Sequence, residues 1–499
     1  MKSATRNSVF LFFGLVLFHL AGTWSLPLID RDEPRFAEAS REMIQRADCV
    51  VPYFNNQLRL DKPPLAYWAQ VASYRTFGES DFSARLPSGI AAALTTLVIL
   101  AWGRRIGAAE VGWWAAIIFT LSLQTFLHAK AAVADMWLVL FMTIAYWAGY
   151  ELLQRPTANA QRPTFNIQPR WWWMFYLSLA LGFLAKGPIA WIPLLTVVTT
   201  ITFARDWQLA RHFKFLRGIL LMLAVVALWG IPALIQTQGE FFAIGIGRHV
   251  VSRSLATMEG HGAGSFGMYL LLLPFYFVTI FVSFFPWSIK LPWLVRRTLR
   301  KRAGIADPGY SRSEIDNYLI TGIAIVFVIF TLIATKLPHY TLPAFPLLAF
   351  LLARHWQGAS AIRNHGALFR TIAITTACVW IAIALVVPPL VAQFFPAYQL
   401  FQESRAQLQP NMQFASVEFE EPSLVWYFRG RVQSFLTRLN KKNAVDFMSR
   451  PGPRFVIVPT SLVQALFPNP PQAWKSFSTR GFNIAKGKQI DLTLVLKPE

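Results

Sequence analysis

Two tight clusters of ionisable residues stand out, Asp30-Arg31-Asp32-Glu33-Pro34-Arg35 and Asp61-Lys62-Pro63-Pro64, in a chain with only 14% charged residues. Carboxylates at this density suit proton handling, the orientation of an acceptor or the holding of a metal ion. The lysine and arginines suit a phosphate. Each cluster leads into a proline and then a helical pattern. Pro34 is a good first helical residue, with Phe36, Ala39, Met43, Ile44 and Ala47 on one face. Behind Pro63 and Pro64 come Leu65, Trp68, Val71, Ala72 and Tyr74. The spacing predicts two amphipathic helices lying at a membrane surface, their N-terminal ends suited to phosphate.

The elements that must position these clusters are membrane spans. The chain has 499 residues, 55% of them hydrophobic, with a mean hydropathy of +0.40. Apolar runs of spanning length recur as far as residue 391 and predict a polytopic α-helical membrane protein. Spans are expected near 8–28, 84–102, 111–127, 132–151, 171–186, 188–204, 216–236, 268–289, 318–335, 339–354 and 371–391, about 11–13 in all. The formal charge of +22 invites a nucleic-acid reading, which the placement of the charge excludes. Lys2/Arg6, Arg104/Arg105, Arg155/Arg162/Arg170, Arg205/Arg211/Lys214/Arg217, Arg296–Arg302 and Arg354/Arg363/Arg370 fall in loops on one side, which is the cytoplasmic pattern. The N-terminus is then cytoplasmic and its first apolar stretch an uncleaved anchor. The first outer loop, 30–83, lies on the far side with everything after 392. Cys49 and Cys378 fall in a loop and a span, so no disulfide is expected.

Residues 1–391 thus form one transmembrane domain. From about 395 the pattern changes. Residues 413–419 and 490–496 alternate, Phe455–Val458 reads as a buried strand, and helical stretches fall near 421–428 and 460–467. This predicts a small α/β domain over 395–499, outside the membrane, with a stabilising or acceptor-contacting role.

On the outer side the ionisable residues are Asp32, Glu33, Arg35, Asp61, Lys62, His128, Lys130, Asp135, Lys186, His249, Arg253, His261, Lys336 and His339. Charges beside spans are costly and are usually functional or paired. The cations suit a lipid-linked phosphate, which collects negative charge as a sugar–phosphate bond breaks. A carboxylate suits activation of the attacking group. Simpler roles compete: Asp30, Glu33, Asp32 and Asp135 as helix caps, Lys62, Lys186 and Lys336 as span-end lysines, the histidines as hydrogen-bonding loop residues.

The run Asp32-Glu33-Pro34-Arg35-Phe36-Ala37-Glu38 followed by Asp61-Lys62-Pro63-Pro64 resembles the first outer loop of the C-type, polyprenyl-phosphate-dependent membrane glycosyltransferases. Within them it looks most like the bacterial 4-amino-4-deoxy-L-arabinose lipid A transferases, with the dolichyl-phosphate-mannose-protein mannosyltransferases as relatives. His128…Asp135, Leu184–Pro188, Arg248-His249…Arg253 and Lys336–Pro343 also match family segments. The resemblance implies that Asp32 and Asp135 are catalytic. It implies phosphate or substrate binding by Arg35, Lys62, Lys186, Arg253, Lys336 and Tyr340, and a divalent metal ion at Asp61 and His249. Asp61 stands where relatives have glutamate, and Phe36 where arabinose transferases have tyrosine. The implied activity is inverting transfer of a sugar from a polyprenyl-phosphate donor to lipid A or another envelope glycan, at the outer face of a bacterial inner membrane. Protein O-mannosylation is the alternative acceptor chemistry. A lipid-sugar transporter would place ionisable residues deep in its spans, whereas these gather at one face.

Overall fold

The computed structural model describes residues 2–106, 108–154, 168–245, 247, 266–302, 314–360, 365–483 and 487–499. The chain opens with helix α1 (Lys2–Leu20), α2 (Asp32–Arg46), a small hairpin of β1 (Tyr53–Phe54) and β2 (Gln57–Leu58), α3 (Leu65–Phe77), α4 (Asp81–Arg105), α5 (Ala109–Leu121), α6 (Leu123–His128), α7 (Asp135–Leu152) and α8 (Gln168–Lys186). Among the described residues, four helices are long and apolar enough to cross a membrane: Asp81–Arg105, Ala210–Gln236, Glu314–Leu332 and Gly366–Ala392. Ser80 starts α4 with a capping box shared with Ser83. α4 and α5 cross where Gly103 meets Gly112: a Cβ on Gly103 would stand 2.3 Å from the Gly112 Cα, so two glycines are needed for backbones this close. Trp102, Phe119, Tyr146 and Phe175 fill one continuous apolar core between these helices.

Several expected spans are broken rather than continuous. The stretch expected at 111–127 divides at Ser122, whose extended backbone separates α5 from α6. The Leu123 N–H freed there donates to the Phe285 carbonyl at 2.9 Å, so the break leaves that amide satisfied. The stretch at 268–289 is interrupted at Pro274, between Phe266–Leu271 and Phe275–Ser283. The stretch at 339–354 begins as a 3₁₀ turn, Pro338–Ala344, before the helix Phe345–Ser360. Proline removes an amide donor at each of the last two sites.

α2 and α3 form where the sequence predicts them. Phe36, Ala39 and Met43 pack on Ala66, Tyr67 and Val71 of α3 and on Ala134. The polar face of α2 is covered as well: Glu38, Arg41 and Glu42 are buried too. Their cover is the C-terminal region.

That region carries a five-stranded mixed sheet, ordered β4 (Thr437–Leu439), β3 (Gln413–Val417), β5 (Arg454–Pro459), β7 (Lys488–Lys497), β6 (Lys475–Asn483). β3 pairs in parallel with β4 and β5, and β7 runs antiparallel to β5 and β6. Alternation sends Phe414, Phe455, Ile457, Leu494 and Leu496 to one face and Ala415, Val417, Val456, Val458 and Val495 to the other. On the first face lies the helix Pro422–Arg429, which packs on α2. Arg429 Nη1 bonds Glu38 and stands 3.3 Å from Glu42. Arg41 bonds Glu38, Glu79 and the Trp426 carbonyl, and lies 3.9 Å from the Trp426 ring centroid. Asp81 accepts from the Trp426 indole and the Tyr427 hydroxyl. Asp30 accepts from the Ser423 N–H and hydroxyl, so it caps that helix from the other end of the chain.

Candidate functional site

Asp32 is exposed at the first turn of α2. The residue next to it is built in. Glu33 pairs with the fully buried Arg85 of α4 at 2.7 Å and accepts from the Ile29 and Ala132 N–H groups. One carboxylate thereby ties the start of α2 to α4 and to the turn before α7. The expectation of a simple cap at Glu33 thus gives way to a buried clamp. It sets where Asp32 stands relative to Asp135, three residues beyond Ala132.

On the other side of α2 the centre is Arg59, which sequence reasoning missed. It is buried, its Nη1 is 3.4 Å from Asp61 Oδ2, and its Nε donates to the Tyr67 hydroxyl at 3.0 Å. Its guanidinium lies 5.3 Å from the Phe36 ring centroid. Burial disfavours the Arg59 charge, but Tyr67, Asp61 and Asp32 outweigh burial and hold its pKa above the ordinary arginine value. Asp32 and Asp61 also act together on the buried Tyr67. Asp61 of the second acidic cluster thus sits against the Arg59 guanidinium, and the charge of Asp32 in the first also acts on it. Lys62, half-buried, follows Asp61 directly. The available signal was the run Arg59-Leu60-Asp61-Lys62, in which an arginine sits two residues from its carboxylate.

A second cluster gathers around Asp135 at the start of α7. Lys186, the last residue of α8, donates to Asp135 Oδ1 at 2.6 Å. His339 Nε2 is 3.9 Å from the same oxygen. The His128 and His339 rings lie 4.9 Å apart between centroids, and the Lys186 ammonium lies 5.9 Å from the Tyr340 ring centroid. Asp135, Lys186 and Tyr340, expected separately, are thus brought together.

Other expected residues are engaged elsewhere. The Lys336 ammonium donates to the carbonyls of Phe330, Thr331 and Ile333, at 3.1, 2.5 and 2.6 Å, so its three N–H bonds cap the helix Glu314–Leu332. Lys130 does the same for the end of α1 through Phe18, His19 and Ala21. Arg35 is half-buried and acts on Asp30. Burial raises the Asp30 pKa to about 7, against the lowering effect of the Ser423 hydroxyl bond. Asp61, expected as a metal ligand, faces Arg59. His249, its expected companion, and Arg253 lie outside the described residues.

The geometry is two acid–cation clusters, Asp61/Arg59 and Asp135/Lys186, with Glu33 tying the start of α2, where Asp32 stands, to the turn before Asp135. The profile of the family described as dolichyl-phosphate-mannose-protein mannosyltransferase matches residues 61–231. The chain is 28% identical over 362 residues to an undecaprenyl phosphate-α-4-amino-4-deoxy-L-arabinose arabinosyl transferase of Sodalis glossinidius, a match covering 71% of this chain and 60% of that one. It is 27% identical over 338 residues to a protein of Aquifex aeolicus, covering 67% of this chain and 70% of that one. This chain is similar in sequence to lipid-phosphate glycosyltransferases. Less than two thirds of the Sodalis enzyme's length is spanned by the match. The fold agrees: the crystal structure of ArnT from Cupriavidus metallidurans bound to undecaprenyl phosphate superimposes with a TM-score of 0.71 at 19% identity, covering 98% of this chain and 97% of that one. The likeness in fold thus covers nearly the whole chain, the C-terminal sheet included.

Proposed function

We propose that this chain is an inverting glycosyltransferase that moves a sugar from a polyprenyl-phosphate donor, undecaprenyl phosphate by preference, to lipid A or another envelope glycan. The reading places the site and the C-terminal sheet on the periplasmic side of a bacterial inner membrane, above 11–13 spans. One observation carries it: Glu33 ties the start of α2, where Asp32 stands exposed, to the turn before the Asp135–Lys186 cluster, with the Asp61–Arg59 pair in the same outer loop. Carboxylates and cations from two separate loops thus gather at one end of a helical membrane protein.

The chemistry follows from charge. As the anomeric bond lengthens, the departing lipid phosphate gains negative charge, and cations held in place stabilise it without reorganising. Lys62 and Arg253 take this role, with Lys186 fixed by Asp135. Asp32 removes the proton from an acceptor hydroxyl; where the acceptor is a phosphate, already ionised, Asp32 orients it. Attack opposite the leaving phosphate inverts the anomeric centre.

The mannosyltransferase profile over residues 61–231 supports a second reading, in which the acceptor is a protein hydroxyl. Membranes holding the protein, supplied with a radiolabelled polyprenyl-phosphate sugar, separate the two: label moves to lipid or glycan in the first and to protein in the second. Asp32→Asn and Lys62→Ala are each expected to lower transfer by about a hundredfold or more, with normal amounts of folded protein in the membrane. Near-normal transfer by either variant would defeat the assignment.

A further inference from the structure

We propose that His128, Asp135 and His339 form a binding site for a borderline-soft divalent cation, with zinc preferred, and that Lys186 competes with the cation for Asp135. The three side chains come from separate elements: the end of α6, the start of α7 and the turn Pro338–Ala344. Each offers a ligand atom, and these atoms lie within 4.8 Å of one another. The Asp135 residue is 8% exposed and the two imidazoles are half-buried, so the cluster is shielded from bulk water.

The donor set decides the ion. Two imidazoles and one carboxylate suit zinc, whereas magnesium and calcium take oxygen ligands. Three protein ligands leave a fourth position, the arrangement in which zinc holds water or a substrate oxygen. Bonds of about 2.0–2.1 Å set tetrahedral ligand atoms about 3.4 Å apart, so the widest pair must close by no more than about 1.4 Å, within reach of side-chain rotation. A supporting partner is also present. Gln124 Nε2 stands 2.9 Å from His128 Nδ1. Turned by half a rotation, the Gln124 amide accepts Nδ1–H and leaves the Nε2 lone pair for the metal.

Lys186 takes the opposite part. Its ammonium sits 2.6 Å from Asp135 Oδ1 and supplies a positive charge where the cation would supply two. With two neutral imidazoles, Asp135 and Lys186 sum to zero charge. Cation binding gives the cluster a net positive charge beside Tyr340, which favours an arriving phosphate. This site differs from the Asp61–His249 pair expected from sequence, since none of its ligands comes from the first outer loop.

The test uses the full chain purified in detergent, stripped by a chelator and titrated with zinc alone, without donor or acceptor, so its outcome does not depend on the transferase reading. One equivalent should bind, with X-ray absorption reporting two imidazole nitrogens and oxygen. His128→Ala and His339→Ala should each weaken binding by about a hundredfold or more, since even a supporting partner's loss costs ten- to a hundredfold. Lys186→Met should tighten it by about tenfold or more, as the loss of a charge at this distance predicts. A wild-type chain that takes up no zinc, or a zinc spectrum without imidazole, overturns the proposal; the spectrum needs no variant to fold. Binding that survives the double His128→Ala/His339→Ala change also overturns it. Unchanged affinity in Lys186→Met overturns the competition.

Discussion

Within one helix, α2, carboxylates are used in two ways. Asp32 stands exposed at its start, while Glu33, Glu38 and Glu42 are buried and spent on arginines. The exposed acid is available to a substrate. The buried acids hold the helix between the membrane-spanning part and the C-terminal sheet. Charge density in a loop therefore does not measure catalytic content: most of the acidic charge of α2 serves assembly. Five substitutions break or sharpen this contrast.

The largest effect is expected at the exposed acid. Asp32→Asn should lower the rate of sugar transfer by about 10²–10⁴-fold, the range for a lost acid–base group, with unchanged protein yield. The same change one residue along, Glu33→Gln, should instead lower the yield of folded protein, since it weakens the clamp on Arg85 and Ala132. Detergent-solubilised protein run on size exclusion, followed by a transfer assay, reads both.

Next comes Arg429→Ala. It leaves Glu38 and Glu42 without the arginine that docks the helix Pro422–Arg429. Breaking a buried pair by removing one partner costs about 3–5 kcal/mol. Thermal unfolding followed by protease susceptibility of the C-terminal region should show that region opening first. A wild-type melting profile would mean that the apolar contacts alone secure the interface.

Arg59→Lys should have a smaller effect, about tenfold on the transfer rate, because a lysine keeps the charge but not the fork that reaches Asp61 and Tyr67 together. Melting temperature should barely change. If stability falls while the rate holds, Arg59 belongs to the assembly group and the contrast must be redrawn.

The smallest effect concerns pH. Asp30, at the interface, has its pKa raised to about 7 by burial, from an ordinary 3.8. A carboxyl raised on folding binds its proton more tightly in the folded state. Its contribution to docking is therefore full below about pH 4 and is lost as pH rises to about 7. Hydrogen exchange in Pro422–Arg429 should speed up over that window and level off above it. Asp30→Asn should flatten the dependence; if the profile stays the same, the titration belongs to another group.

Some of this molecule could be read along the chain. Helices α2 and α3 begin within two residues of a proline, at Asp32 and Leu65, because proline acts locally, on its own φ and its own missing N–H. Strands near 413, 455 and 490 could be read because alternation reports which residues face a core. β4 and β6 escaped: β4 is three residues long, and most residues of β6 are not buried, so neither has a clear apolar pattern.

The sequence by itself determined that the chain crosses a membrane, where its acidic clusters lie, and that a sheet follows the last span. The tertiary structure decided which charges meet. Glu33 finds Arg85 across 52 residues, and Glu38 finds Arg429 across 391. Arg59 reaches the Tyr67 hydroxyl of α3 only once the chain after the hairpin folds back. The reason is physical. Periodicity and proline act within a few residues, whereas a buried ion pair depends on which surfaces exclude water together, and only the folded chain brings those surfaces into contact.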